Sequence, residues 1–122
     1  MARVLALMPD LLFGSKVQAA LTAAGHDVEV TGDELAARVG APGADVLVVD
    51  LTTDAIDGST LVESMRVDGE LGSTRTLGFY SHVDVAVRER ALDAGFDLVV
   101  PRSRMNREAA ELVTRLAEDP GR

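Results

Sequence analysis

Five short apolar runs, separated by stretches with helical spacing, constrain the fold of this sequence more than any other feature. Each run is four to six residues long, which suits a strand that is buried on both faces. The runs are residues 3–8, 27–30, 45–50, 76–80 and 97–101. Strands of this kind need helices on both faces, and crossovers between parallel strands are right-handed. The pattern therefore predicts an α/β domain with a doubly wound, five-stranded parallel sheet.

The stretches between the runs carry the apolar stripes of amphipathic helices. The predicted inward-facing residues are Val17, Ala20, Leu21 and Ala24; Leu35 and Val39; Leu61 and Met65; Val83, Val87 and Ala91; and Met105, Ala109, Leu112, Val113 and Leu116. Polar pairs at three-residue spacing predict three of the helix starts: Ser15 with Gln18, Thr31 with Glu34, and Ser81 with Asp84. Glycines at positions 25, 40 and 95 predict the corresponding helix ends.

The length of 122 residues fits one domain, which can bury about two-thirds of its unfolded surface without a metal or disulfide. We expect that domain to span residues 1–118, and we expect residues 119–122 to form a flexible tail.

Composition excludes several classes of function. The absence of cysteine excludes disulfides, thiol chemistry and zinc–thiolate sites, and it fits a reducing cytoplasm. The formal charge of −8 disfavours nucleic-acid binding, and no apolar stretch approaches the length of a membrane span. With only two histidines, His26 and His82, and no plausible catalytic triad, the sequence gives no support to a hydrolase or an oxidoreductase. We therefore expect a cytoplasmic protein that is not an enzyme.

The third run ends on a carboxylate, in the stretch Asp50-Leu51-Thr52-Thr53-Asp54-Ala55-Ile56-Asp57-Gly58. This stretch resembles the Asp-Leu-x-Met-Pro-x-Met-Asp-Gly segment of the receiver domains of bacterial two-component response regulators. Residues 91–97, ALDAGFD, resemble the segment that leads into the last strand of the same family. The resemblance covers residues 3 to about 117. It implies the flavodoxin-like (CheY-like) fold with strand order 2-1-3-4-5, and it places Asp50 at the position of the phosphoacceptor.

The family's chemistry depends on further groups that neutralise or hydrogen-bond the charge of the transferred phosphoryl group. By resemblance these are an acidic pair that holds Mg²⁺, a Thr or Ser after the fourth strand, and a lysine after the fifth. Here the acidic pair is replaced by Met8 and Pro9, with Asp10 one position late, and the lysine is replaced by Arg102. The hydroxyl position aligns with Tyr80, and a shift of one residue would place Ser81 there.

These departures leave a set of site residues whose roles are implied by the resemblance: Asp50, Asp10, Tyr80, Ser81 and Arg102. Asp10 and Asp50 are the candidate metal ligands, and Mg²⁺ is expected only if Asp50 is phosphorylated. An alternative role for Asp50 is an ion pair with Arg102 that holds one conformation without any phosphate. The sequence thus resembles an atypical receiver, or pseudo-receiver.

Three functions follow. The first is an interaction module that acts through protein–protein contacts without efficient phosphorylation. It would bind a partner, or itself through the fourth helix, fifth strand and fifth helix. The second is a working receiver that a histidine kinase phosphorylates on Asp50 in a phosphorelay. The third is a sensor in which the crevice around Asp10, Asp50, Tyr80 and Arg102 takes an anionic or nucleotide ligand.

Overall fold

A computed structural model describes residues 1–119 as one parallel sheet with helices on both faces. The strands are β1 (Arg3–Leu7), β2 (Asp27–Thr31), β3 (Val46–Asp50), β4 (Arg75–Tyr80) and β5 (Leu98–Pro101). The helices are α1 (Leu11–Ala23), α2 (Glu34–Gly40), α3 (Gly58–Val67), α4 (Val85–Ala94) and α5 (Arg102–Glu118), with a short 3₁₀ turn at Ala41–Gly43. The strand order is β2-β1-β3-β4-β5, and the predicted fold class and order are confirmed.

Alternation along the strands divides the core into two layers, because successive side chains of a strand point to opposite faces of the sheet. On β3, Val46 and Val48 pack with α1 and α5, whereas Leu47 and Val49 pack with α2, α3 and α4. β3 is buried along its whole length. Asp50 is therefore the residue at which the buried central strand reaches the carboxyl edge of the sheet.

The predicted apolar stripes are confirmed for α3 and α5 and wrong for α2. Leu35 and Val39 are 68% and 74% exposed, and α2 instead buries Ala37. Leu35 and Val39 each lie two residues from Ala37, about 200° around the helix, so they face solvent when Ala37 faces the sheet. In α4 the buried residues are Ala91 and Ala94, while Val83 lies outside the helix and is exposed.

The capping residues predicted for α1, α2 and α4 are also wrong, because the aspartate directly before each of these three helices takes that role. Asp10, Asp33 and Asp84 cap α1, α2 and α4. Each carboxylate accepts a hydrogen bond from a backbone N–H of the first turn, which would otherwise lack a partner.

Of the expected tail, Asp119 lies close to the sheet, where its carbonyl accepts a hydrogen bond from Arg75 Nη2 at 2.6 Å. Residues 120–122 lie outside the described residues, so the predicted tail stays a prediction there. Among residues 1–119, no helix combines the length and hydrophobicity that a bilayer crossing requires.

Candidate functional site at the carboxyl edge of the sheet

Asp50 is the last residue of β3 and lies beside Phe79 in the parallel register with β4. Its side chain follows Val46 and Val48 in the alternation, which directs it to the face of the sheet that α1 and α5 cover. Only 2% of the residue is exposed. Asp50 is therefore a nearly buried carboxylate at the edge where loops from several strands meet.

Thr52 holds the Asp50 carboxylate. The Thr52 backbone N–H and the Thr52 hydroxyl both donate to Asp50 Oδ1, at 2.7 and 2.6 Å. This is the local turn that an aspartate favours when it accepts from the residue two positions later. Sequence reasoning gave Thr52 no role, although an Asp-x-Thr order at a strand end is the available signal.

The Asp10 carboxylate is engaged twice at the start of α1. Asp10 Oδ1 accepts hydrogen bonds from the backbone N–H groups of Leu12 and Phe13, at 3.0 and 3.2 Å. Asp10 Oδ2 faces Arg102 Nη2 at 3.4 Å, and both side chains are nearly half exposed. Asp10 therefore serves as a helix cap and an ion-pair partner.

Arg102 lies against α1 rather than against the central strand. Its guanidinium carbon is 4.3 Å from the centre of the Phe13 ring, which is a cation–π distance. The Phe13 ring in turn meets Phe79 edge-on, with the ring centres 5.3 Å apart. Among the described residues Arg102 pairs with Asp10 and not with Asp50, which contradicts the ion pair expected from the sequence.

Ser81, and not Tyr80, lines the cavity at this edge of the sheet. Tyr80 ends β4, is 8% exposed, and follows Phe79 in the strand, so the alternation directs it to the opposite face. The cavity has a volume of about 640 Å³. Its lining residues are Phe13, Lys16, Thr52, Ser81, His82, Arg102, Ser103 and Asn106. The structure thus brings Ser81 and Arg102 to one cavity, while Tyr80 and Asp10 lie outside its lining.

No protein-family model matches this sequence, and no curated protein matches it either. Solved structures do match over nearly the whole chain. The receiver domain of the Francisella response regulator 1452 has 19% identity and a TM-score of 0.83, and the match covers 97% of this chain and 98% of that one. The signal receiver domain of the putative response regulator NarL from Mycobacterium tuberculosis has 23% identity and a TM-score of 0.78, with 99% and 98% covered.

The chain has the fold of response-regulator receiver domains. A third match with this fold is the receiver domain of sensor histidine kinase PA1611 from Pseudomonas aeruginosa, solved with a magnesium ion in its active-site cleft. It has 17% identity and a TM-score of 0.83, and the match covers 97% of this chain and 98% of that one. At these identities the likeness establishes the fold, and the chemistry must be argued from the residues themselves.

The residues at the end of β1 do not fit the Mg²⁺ ion that the receiver fold implies. Mg²⁺ requires oxygen ligands in near-octahedral geometry. Met8 is fully buried in the core and presents a thioether, and Pro9 has no side-chain oxygen. Asp10 is occupied by the α1 cap and by Arg102. Residues 1–119 contain no group of three or more His, Cys, Asp or Glu side chains arranged for a metal ion.

Asp57 and Gly58 have structural roles where the chain turns into α3. Asp57 caps α3 through Thr60, and the hydrogen bond from the Thr60 backbone N–H is the main reason that the pKa of Asp57 lies below its usual value. A side chain at Gly58 would collide with Val49, so this chain needs a glycine where α3 meets β3.

The face formed by α4, β5 and α5 carries exposed charge together with exposed apolar side chains on α4, of which Val85 is 59% exposed. β5 is an edge strand of the receiver fold, and Leu92 on α4 is 43% exposed. Arg90 pairs with Glu63 on α3 at 3.0 Å, and this hydrogen bond raises the pKa of Arg90. Arg104 pairs with Glu108 one turn further along α5, at 3.5 Å. Arg90 and Arg104 on this face are thus paired within the chain.

Proposed function

We propose that this chain is a receiver-fold signalling module that acts through protein–protein contacts and does not depend on phosphorylation of Asp50. One observation carries the proposal: the carboxylate nearest in sequence to the end of β1, that of Asp10, is committed to the α1 cap and to Arg102. Transfer of a phosphoryl group onto Asp50 concentrates negative charge at one point, and a divalent cation is the usual means of neutralising it.

The surroundings of Asp50 support the same proposal. Its Oδ1 atom accepts two hydrogen bonds from Thr52, and the residue is nearly inaccessible to solvent. Arg102 has its guanidinium over Phe13, where it does not neutralise charge on Asp50. Receiver domains are signalling modules that work by contact with other proteins, and the proposed module keeps that role without catalysis.

The experiment is an intact-mass measurement after incubation with acetyl phosphate and Mg²⁺, with the Asp50→Asn variant as the matched control. We expect the mass of the wild-type chain to stay unchanged. An added phosphoryl group that is absent in Asp50→Asn would overturn the proposal. It would establish the second candidate, a working receiver phosphorylated by a histidine kinase. That candidate is favoured by the placement of Asp50 at the carboxyl end of the central strand.

The partner surface of the proposed module is the face of α4, β5 and α5. Arg88, Glu89 and Asp93 on α4 are exposed, and Leu92 adds a partly exposed apolar side chain. A second copy of the chain, or a partner with complementary charge, would pair with these groups. Sedimentation equilibrium of the wild type and of Leu92→Arg tests self-association. Dimers that Leu92→Arg dissociates support a homodimer through this face, and a monomer for both proteins would exclude self-association through it.

A further inference from the structure

We propose that the cavity between α1, the β3–α3 loop, the β4–α4 loop and α5 binds a small phosphate-bearing molecule without a covalent step. The cavity measures about 640 Å³, which is within the range of small-molecule sites. This inference does not rest on the proposed partner, because it concerns the carboxyl edge of the sheet and not the α4–β5–α5 face.

The charge of the cavity lining favours an anionic ligand. The chain carries a formal charge of −8, with 20 acidic and 12 basic residues. Against that balance, the ionisable side chains of the lining are Lys16, His82 and Arg102, and no carboxylate is among them. Lys16 is the only lysine in the sequence. A cationic cavity on an acidic protein concentrates anions at that point.

Four other cavities among residues 1–119 do not share this property. Each of them has two carboxylates in its lining: Asp54 and Asp57; Asp27 and Glu29; Glu111 and Glu118; and Asp45 and Glu118. The cationic lining therefore distinguishes the cavity at the carboxyl edge from these four.

Hydrogen-bond donors in the lining match a phosphate group in number. The hydroxyls of Ser81 and Ser103 and the side-chain amide of Asn106 line the same space as the two full cations, whereas the Thr52 hydroxyl already donates to Asp50. The guanidinium of Arg102 has five N–H donors, and its ion pair with Asp10 engages one terminal nitrogen at 3.4 Å. A phosphate has three or more acceptor oxygens, whereas a carboxylate has two, so this donor set suits a phosphate better.

The first turn of α5 adds to the donors. Pro101 precedes the helix and provides no side-chain cap, while Ser103 of the first turn and Asn106 directly after it line the cavity. Uncapped N–H groups at a helix start carry partial positive charge and attract anions. The start of α5 therefore adds to the positive potential of the cavity.

A single labelled lysine provides the test. Reductive methylation with ¹³C-formaldehyde labels Lys16 and the Met1 amino group, and both keep their positive charge. Met1 precedes β1 at the opposite edge of the sheet, so its signal is an internal control. The probes are inorganic phosphate, glycerol 3-phosphate and glycerol, each added without divalent cations and at constant ionic strength.

We expect a saturable shift of the Lys16 signal with phosphate probes, no shift with glycerol, and no saturable shift of the Met1 signal. Tighter binding of glycerol 3-phosphate identifies a phosphate monoester as the ligand class, and equal binding identifies the free ion. Lack of a saturable Lys16 shift with either phosphate probe would overturn the proposal. Because none of the probes transfers a phosphoryl group, this outcome leaves the phosphorylation experiment on Asp50 unaffected.

Variants separate a built site from diffuse attraction. Lys16→Gln and Arg115→Gln remove the same charge, but Arg115 lies on the α5 surface outside the cavity. By amide chemical shifts at Ser103 and Thr52, we expect Lys16→Gln to weaken phosphate binding about tenfold and Arg115→Gln to leave it within about twofold. Equal losses in the two variants would show that net charge alone attracts the anion and would contradict the site. His82→Gln, in an exposed loop, is the second cavity variant if Lys16→Gln fails to fold.

Discussion

At the scale of single residues, Asp50 and Thr52 form the contact that defines this edge. A 2.6 Å hydrogen bond from a threonine hydroxyl to a nearly buried carboxylate is a charge-assisted bond. The Thr52→Val variant should lower the free energy of unfolding by about 1–2 kcal/mol, measured by urea denaturation. Thr53→Val is the control. Its hydroxyl accepts from the exposed Ala55 N–H, so we expect a loss below about 0.5 kcal/mol. Equal losses in both variants would contradict a special role for Thr52.

A second cluster of polar residues lies at the opposite edge of the sheet. Arg66 on α3 donates to the Gly95 carbonyl at 2.6 Å and to Asp97 at 3.1 Å. Asp97 also accepts from the Thr76 backbone N–H at 2.7 Å. Burial is the main reason that the pKa of Arg66 lies below its usual value. The cluster joins α3, β4 and the turn into β5.

The Asp97→Asn variant should lower the free energy of unfolding by about 2–3 kcal/mol, because it leaves a largely buried guanidinium without its carboxylate. Glu63→Gln breaks the exposed pair with Arg90 and should cost less than about 0.5 kcal/mol. Urea denaturation of both variants measures the difference. A cost for Asp97→Asn no larger than that for Glu63→Gln would show that this cluster adds little to stability.

Sequence reasoning at this scale located Asp50, because a buried run that ends on a carboxylate is a local signal. It did not locate the Thr52 contact, and it paired Arg102 with the wrong carboxylate. The reason is distance along the chain: Asp10 and Arg102 are 92 residues apart, and the choice between two acidic partners depends on side-chain directions that no local pattern encodes.

At the scale of elements, local patterns missed the aspartates that cap α1, α2 and α4. Asp10→Ala removes both the α1 cap and the ion pair with Arg102, and we expect a loss of about 1–2 kcal/mol in the free energy of unfolding. Asp10→Asn keeps a good capping side chain and removes only the exposed ion pair, so its loss should stay below about 0.5 kcal/mol. Chemical denaturation distinguishes the two variants, and losses of the same size would show that the ion pair is the larger contribution.

The cap of α3 predicts a pH dependence. The pKa of Asp57 is lowered in the folded state, mainly by the Thr60 backbone N–H. The ionised carboxylate therefore adds stability above the unfolded-state pKa of about 3.9, and this contribution is lost as the pH falls through the lower, folded-state pKa. The loss caused by Asp57→Ala, which removes the cap, should be full at pH 6 and shrink below about pH 4, as followed by thermal unfolding at several pH values. A constant difference from pH 6 to pH 2 would contradict the cap.

The strands were predictable because each is a short apolar run with clear boundaries, and the observed bounds differ by one residue at most at either end. α3 and α5 were predictable because their large apolar residues face the core. The stripe of α2 was not predictable, because this seven-residue helix turns the face with Ala37 to the sheet and exposes Leu35 and Val39. The exposed Leu11 and Leu12 concealed the start of α1 for the related reason that they break its apolar stripe.

At the scale of the whole molecule, the sheet places the ends of β1, β3, β4 and β5 at one edge, and every candidate site residue ends or follows one of these strands. Alternation of strands and helices predicted this gathering, because the carboxyl ends of parallel strands share an edge. The strand order came from the resemblance to receiver domains, since pairing between distant strands has no signature in a single sequence. The account that results is a receiver fold whose central carboxylate lacks the ligands for Mg²⁺.

That claim is tested most directly by titrating the protein with Mg²⁺ and then beryllofluoride, following the amide chemical shifts of Asp50, Leu51 and Thr52. The Asp50→Asn variant is the control. At millimolar Mg²⁺ we expect the wild type to show no saturable change that is absent from the control. We also expect no new set of signals with beryllofluoride. Saturable Mg²⁺ binding that requires Asp50, followed by a stable beryllofluoride adduct, would contradict it.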